Sequence, residues 1–217
     1  MKNLYFISLV CSLLVIFLFV CGFNNKVENR VIFLDPGHGG IDGGCISNKG
    51  VYETGIVLDI AYYVKDYLEI NGYNVMMTRY GDYDLASDYS KNRKHEDILR
   101  RVEMINNNEC YAVISLHANA FSDRNITGAQ CFYSKGNKGG EILSGIIQDK
   151  LNKCINNNRV SMAIKDKYVL DNVIHPIALI EVGFLSNSND ASNLINYDYQ
   201  KMIAYVVGDS IIEFINR

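Results

Sequence analysis

The 217-residue sequence contains no tryptophan and two prolines, and its net charge at neutral pH is only −3. Nucleic-acid-binding proteins usually carry a strong excess of basic residues, so the composition argues against a nucleic-acid partner. The sequence also lacks a CxxC pair and an HExxH motif. Any metal ligands must therefore come from positions that are far apart in the chain.

Disulfide bonds are not expected, although the chain contains six cysteines. Cys11 and Cys21 lie in an apolar N-terminal segment, and the other four cysteines are scattered through the rest of the chain. That part has roughly 190 residues, which is enough for one domain with a sizeable core and no covalent cross-links. This favours buried or free thiols over a disulfide, and the sequence leaves the disulfide state open.

One long apolar run is present, at residues 4–23, and it contains no charged residue. It predicts a helical signal peptide or membrane anchor over residues 1–25, followed by a catalytic domain over residues 30–217. Lys2 precedes the run and favours a cytoplasmic N-terminus. We therefore expect an exported domain, either secreted or anchored in the membrane, and the sequence leaves cleavage of the segment open.

The remaining sequence alternates short apolar runs with segments of helical spacing. The predicted strands cover residues 31–34, 73–78, 111–116, 129–133 and 177–182. The predicted helices cover residues 53–71, 94–106, 141–154 and 199–215. This alternation predicts an α/β domain of three layers, with a central, mostly parallel or mixed sheet between helices.

The first predicted strand ends at Asp35-Pro36 and opens into a glycine-rich loop that carries His38. Functional sites of open α/β sheets lie at the carboxyl ends of the strands, so His38 is a candidate ligand or catalyst. The loop resembles the start of a dinucleotide fingerprint, but that motif requires a glycine where this chain has Asp42. The nucleotide interpretation is therefore rejected.

Polar residues also mark two other strand ends and the start of a helix. His117 follows the third strand, Glu181 lies near the end of the last strand, and Glu53 begins the first helix, just behind the His38 loop. Two histidines and a carboxylate suit a catalytic Zn²⁺ that keeps its fourth position for water. Such a zinc lowers the pKa of the bound water to about 7.

Glu181 interrupts an otherwise apolar strand, where an unpaired carboxylate costs several kcal/mol. Two explanations remain open at this stage. Glu181 either forms an ion pair with Arg79 or Arg101, or it serves as a general base beside the metal.

Other polar residues near these positions are candidates for supporting roles. Asp35 is a candidate partner for a metal-bound imidazole, since such rings usually need one, although Asp35 and Asn119 equally well shape their loops. Arg101 is expected to pair with an acid rather than to bind substrate. His95 lies on a charged helix and should be solvated, whereas His175, before Pro176, should be structural.

Four motifs together resemble a known family, the zinc-dependent N-acetylmuramoyl-L-alanine amidases of the Amidase_3 type. They are Asp35-Pro-Gly-His-Gly-Gly40, Glu53 before a helix, Ser115-Leu-His-Ala-Asn119 and Ile180-Glu-Val-Gly-Phe-Leu-Ser-Asn187. The resemblance covers residue 31 to the C-terminus. Residues 91–102 look most like the CwlD branch, which removes stem peptides when spore-cortex muramic-δ-lactam is made.

The resemblance implies a role for each of these residues. His38, Glu53 and His117 correspond to the zinc ligands, and Glu181 corresponds to the catalytic glutamate. The substrate would be peptidoglycan, cut at the amide between N-acetylmuramic acid and L-alanine. The sequence departs from the family around Glu53 and at His175, and neither departure falls on a ligand.

Two alternatives stay open, namely a zinc peptidase that cuts within the stem peptide and a non-catalytic protein that binds the wall. No wall-binding repeat is recognisable, so location and activity are expected to depend either on the N-terminal segment or on an activating or localising protein partner. The preferred stem peptide and glycan length, and the oligomeric state, do not follow from the sequence.

Overall fold

The computed structural model describes residues 30–217, which form a six-stranded sheet with helices on both faces. The strands are β1 (Val31–Pro36), β2 (Val75–Met77), β3 (Cys110–Asn119), β4 (Gln130–Ser134), β5 (Met162–Ile164) and β6 (Ile177–Phe184). The helices are α1 (Glu53–Ile70), α2 (Arg93–Asn106), α3 (Lys138–Ile155), α4 (Tyr168–Asn172), α5 (Ser188–Leu194) and α6 (Tyr197–Ile215).

The predicted signal or anchor segment, residues 1–25, lies outside the described residues. Within residues 30–217, none of the helices combines the length and the apolar character that a membrane crossing needs. All four cysteines of this region have free thiols, as expected from the sequence.

The strands lie in the order β2-β1-β3-β6-β4-β5. All neighbouring pairs are parallel except β4 and β6, so the predicted mixed sheet is confirmed. Because β1, β3 and β6 are adjacent and parallel, their carboxyl ends meet at one edge of the sheet. The register places His117 of β3 directly beside Glu181 of β6.

Alternation along the strands creates the three layers, because successive side chains point to opposite faces of a sheet. Ile32 and Leu34 belong to the larger core cluster, with buried residues of α1, α3, α5 and α6. Val31 and Phe33 belong to the smaller cluster, with residues of α2 and the segment around α4. The same alternation directs Asp35, and its register partners Ser115 on β3 and Leu179 on β6, toward the layer of α2 and α4.

The structure differs from the sequence prediction in the short elements. Strand β5 and helices α4 and α5 have three, five and seven residues, which is too short for a hydrophobic period to stand out. Strand β3 also runs to Asn119, so His117 lies within the strand rather than after it.

Candidate metal centre

Three side chains converge at the carboxyl edge of the sheet. Glu53 Oε1 lies 3.1 Å from His38 Nε2 and 3.0 Å from His117 Nδ1. One donor atom from each residue fits within a mutual distance of 4.8 Å. The structure therefore brings together the three residues that the sequence analysis named as metal ligands.

Each candidate ligand lies in a different kind of secondary-structure element. His117 is held within β3, Glu53 is the first residue of α1, and His38 lies in the loop after β1. His38 has a φ of +62°, which costs a non-glycine residue about 1–2 kcal/mol. This left-handed conformation turns the imidazole back over the sheet edge, toward the other two ligands.

Two glycines leave room for the ligands to approach the backbone. A Cβ atom at Gly37 would overlap the imidazole of His117. A Cβ atom at Gly44, where φ is +69°, would lie 2.5 Å from Glu53 Oε2 and 2.8 Å from His38 Cδ2. Side chains at these positions would displace the candidate ligands, so glycine is required by contact at both positions and also by conformation at Gly44.

The carboxylate of Glu53 is held by backbone amides as well as by the histidines. Oε1 accepts a hydrogen bond from Ala118 N at 2.9 Å, and Oε2 accepts one from Cys45 N at 2.8 Å. Burial raises the pKa of Glu53, but the hydrogen bonds and charges of His117 and His38 outweigh it and lower the pKa overall. Glu53 is therefore an anion at neutral pH.

Asp42 holds the far side of the His38 ring. Its Oδ2 lies 3.0 Å from His38 Nδ1 and 3.0 Å from Lys94 Nζ. Burial lowers the pKa of His38, but Glu53 and Asp42 outweigh this and raise it. With Nδ1 directed at Asp42, Nε2 is left to face the cluster, as in carboxylate–histidine–metal arrangements.

Of the two roles that the sequence left open for Asp35, the structure does not show the contact with an imidazole. Oδ1 accepts hydrogen bonds from Arg101 Nη1 and Thr78 Oγ1, and Oδ2 accepts one from Ser115 Oγ, each at 2.8 Å. Burial raises the pKa of Asp35, but Arg101 outweighs it and the pKa is lowered. Asp42, and not Asp35, makes the imidazole contact that the sequence analysis offered as one of two roles for Asp35.

Arg101 pairs with acids, as the sequence predicted. Its Nε donates to Asp97 Oδ2 at 2.8 Å, in addition to the bond to Asp35. It also donates to the carbonyl oxygens of Pro36 and His38, at 2.8 and 2.5 Å. Arg101 is 2% exposed, so it fixes the loop rather than reaching toward solvent.

Glu181 faces the cluster without a partner. Its Oε2 is buried and has no hydrogen-bond partner among residues 30–217. The ion pair with Arg79 or Arg101 that the sequence left open is wrong, since those guanidinium groups bind the His38 loop and Asp35 instead. Burial raises the pKa of Glu181, and the charge of His117 opposes that rise only in part.

The ligands and Glu181 line a cavity of about 350 Å³. Asn119 also lines it, with its Oδ1 accepting a hydrogen bond from Ala120 N. Lys94 and Lys167 contribute positive charge to the wall, and the sequence analysis missed both. His95 is exposed, as expected, and His175 is not among the cavity-lining residues.

The fold and the site together define a class of protein. The three-layer α/β domain brings two imidazoles, a carboxylate and an unpaired carboxyl group together at the carboxyl ends of its strands. This is the donor set of a hydrolase with a metal-bound water. Residues 32–213 match the family described as N-acetylmuramoyl-L-alanine amidase, and the chain belongs to this family of enzymes.

Individual relatives agree with this assignment. The germination-specific N-acetylmuramoyl-L-alanine amidase of Bacillus subtilis is 37% identical over 227 residues, covering 98% of this chain and 95% of the relative. The CwlD amidase of Clostridioides difficile, solved in complex with the GerS lipoprotein, is 33% identical. It has a TM-score of 0.83 and covers 87% of this chain and 99% of that chain.

A more distant structure shares the fold. The catalytic domain of CwlV, an amidase from Bacillus (Paenibacillus) polymyxa, has a TM-score of 0.76 at 23% identity. The match covers 86% of this chain and 98% of that domain.

Proposed function

We propose that residues 30–217 form a zinc-dependent catalytic domain that hydrolyses the amide between the lactyl group of N-acetylmuramic acid and L-alanine in peptidoglycan. Family membership supports the amidase activity. The assignment of zinc rests on the convergence of one donor atom each from His38, Glu53 and His117. When bound, zinc would polarise the substrate carbonyl and lower the pKa of its water to about 7.

The chain's own residues supply the ligand geometry. Glu53 contributes one negative charge against the two positive charges of the ion, and its two amide hydrogen bonds fix both oxygens. Asp42 would accept a hydrogen bond from Nδ1–H of His38, so that Nε2 is the unprotonated nitrogen of the neutral ring and can bind the metal.

Glu181 is the residue that we assign to proton transfer. Its unpaired Oε2 is free to accept a proton from the attacking water and then to give that proton to the leaving amine of L-alanine. The raised pKa suits both steps, because a carboxyl group with a pKa nearer to neutrality both takes and releases a proton readily.

For the biological setting, we propose removal of stem peptides during formation of spore-cortex muramic-δ-lactam. The Bacillus subtilis relative named as germination-specific supports this, as does the CwlD structure. Residues 1–25 would export the domain, so that it acts outside the cytoplasm as a secreted or membrane-anchored enzyme.

A protein partner belongs to the same proposal. The CwlD amidase of Clostridioides difficile was solved with the GerS lipoprotein, which supports an activating or localising partner for this chain. An activating partner would be contradicted if full-length enzyme without any added protein already cleaves isolated cell wall as fast as it does when protein factors are added.

The test combines metal analysis with analysis of the peptidoglycan fragments. We expect one zinc ion per chain, loss of cleavage in EDTA, recovery with added zinc, and muramic acid residues whose lactyl groups carry no peptide. A shortened stem peptide still attached to the sugar would instead establish the peptidase alternative. Wall binding with no cleavage product would establish the non-catalytic alternative, and full activity in EDTA without bound metal would remove zinc from the mechanism.

A further inference from the structure

Arg79 is the largest side chain in the described region that is fully buried, with 0% exposure. It lies just after β2, and its four hydrogen bonds all end on backbone carbonyl oxygens. Nε donates to Pro36 O at 3.0 Å, Nη1 donates to Gly81 O at 2.9 Å, and Nη2 donates to Gly37 O at 2.8 Å and to Thr54 O at 2.9 Å.

Two of these acceptors adjoin candidate metal ligands. Gly37 immediately precedes His38, and Thr54 immediately follows Glu53. A single nitrogen, Nη2, therefore joins the loop that carries one ligand to the helix that carries another. The third ligand, His117, is held independently in the hydrogen-bonded ladder of β3.

The guanidinium remains a cation in this position. Burial, together with the charge of Arg101, lowers the pKa of Arg79 to about 10, still far above neutrality. A buried cation is costly unless it is hydrogen-bonded, and here the carbonyl oxygens meet that need. Lysine could not replace it, since an ammonium group is a compact charge without the planar fork that reaches several acceptors at once.

We propose that Arg79 is a positioning residue of the metal centre, because it fixes the His38 loop against the start of α1 and so sets the separation of His38 from Glu53. This inference rests on the proposed function insofar as it takes the cluster to be a zinc site. It adds that the protein holds the ligands in place before the metal arrives.

The test compares the zinc affinity of full-length wild type and Arg79→Lys, measured by competition with a chromogenic chelator. Loss of an interaction that orients metal ligands typically costs about 10–100-fold in affinity, and we expect a loss in that range. Arg159→Lys is the matched control. Arg159 donates twice to Thr127 O and once to Gln130 Oε1, at the start of β4, and none of these residues is a candidate ligand. The control should lose some thermal stability and keep its zinc affinity.

The outcomes separate the two proposals. If wild type binds no zinc, the proposed function fails. If wild type and Arg79→Lys bind zinc equally well, only the role of Arg79 is wrong. An equal loss of affinity in Arg159→Lys would also overturn this role, because it would make the effect one of general stability.

A measurement on wild type covers the case in which Arg79→Lys does not fold. Amide hydrogen exchange at residues 37–45 and 53–56 is compared with and without zinc. Ligands held in place before zinc arrives predict that these amides already exchange slowly in the zinc-free protein, whereas ordering by zinc predicts nearly unprotected exchange until zinc is added. The second result would overturn the proposal.

Discussion

The two sides of the candidate site are built in opposite ways. On the β1 side, Asp35, Arg79 and Arg101 are buried, and their charged groups are engaged in hydrogen bonds or ion pairs. On the β6 side, Glu181 presents a buried oxygen with no partner. Groups that hold ligands must not move, whereas a group that transfers a proton must not be committed to a neighbour.

Two carboxyl groups on the same face of the sheet make this difference measurable. Burial raises the pKa of both, but Arg101 outweighs it at Asp35 and lowers that pKa, whereas the pKa of Glu181 stays raised. Environments that push the pKa values of nearby carboxyl groups apart mark the division between structural and acid–base roles. Each of the following changes alters one side of the site and leaves the other intact.

The largest effect is expected on the β6 side. Glu181→Gln should reduce cleavage by about 10²–10⁴-fold, because an amide cannot accept the proton of the attacking water. Zinc content and thermal stability should stay near wild type, since Oε2 has no partner to lose. Turnover of isolated cell wall measures the change, with the exposed Glu103→Gln as control. Unchanged turnover would refute the role of Glu181.

The next effect is one of stability, on the β1 side. Asp35→Asn leaves the buried Arg101 without one of its acids, which typically costs about 3–5 kcal/mol in the free energy of unfolding. Urea unfolding at neutral pH measures the loss, and the exposed Asp149→Asn on α3 serves as the control.

The pH dependence of this loss has a definite sign. Because folding lowers the pKa of Asp35, its contribution is complete above the unfolded pKa of about 3.9 and is lost as pH falls through the folded value. Wild type and Asp35→Asn should therefore converge in stability in acid. A gap that stays constant below pH 4 would show that the charge of Asp35 is not what stabilises the fold.

A smaller effect is expected from the residue that holds the His38 ring. Asp42→Asn should weaken zinc binding by about 10–100-fold, since the amide is a poorer acceptor for the Nδ1 proton. Global stability should change little, because Asp42 is only partly buried. Chelator competition measures the affinity, and the exposed loop variant Asp88→Asn should match wild type. Equal affinities for all three proteins would contradict this contact.

The smallest effect is a shift of the pH profile. The charge of Lys167 lowers the pKa of Glu181, so Lys167→Met should raise it further. Glu181 acts as a base only when ionised, and the acid limb of kcat/KM should therefore move to higher pH. Lys167 is exposed, so the shift should shrink in high salt. Lys165→Met is the control, and a shift toward lower pH would contradict the assignment.

Strand-end position located much of this site from the sequence. His38, His117 and Glu181 lie after or near the ends of the strands predicted from the sequence, and the structure brings them together at the carboxyl edge of the sheet. Their separate roles as ligands or base came from the resemblance to the family, because spacing alone does not distinguish the two carboxylates. The short elements β5, α4 and α5 were missed because too few residues carry their pattern.

The partners of His38 were not accessible from the sequence. Asp35 and Asp42 are near it on either side in the chain, and only the folded loop shows that Asp42 Oδ2 is the one that lies 3.0 Å from His38 Nδ1. Arg79 follows the second strand, but the sequence analysis considered it only as an ion-pair partner of Glu181. Its acceptors, however, are backbone oxygens, which leave no trace in the identity of neighbouring residues.

That last property bears on how the enzyme tolerates mutation. Every amino acid carries a carbonyl oxygen, so substitutions at positions 36, 54 and 81 can leave the acceptors of Arg79 in place. In this set of contacts, the requirement for a particular side chain therefore falls on Arg79 and not on the residues that supply its acceptors. If Arg79 has the role proposed above, those three positions can diverge during evolution without loss of the link between the His38 loop and α1.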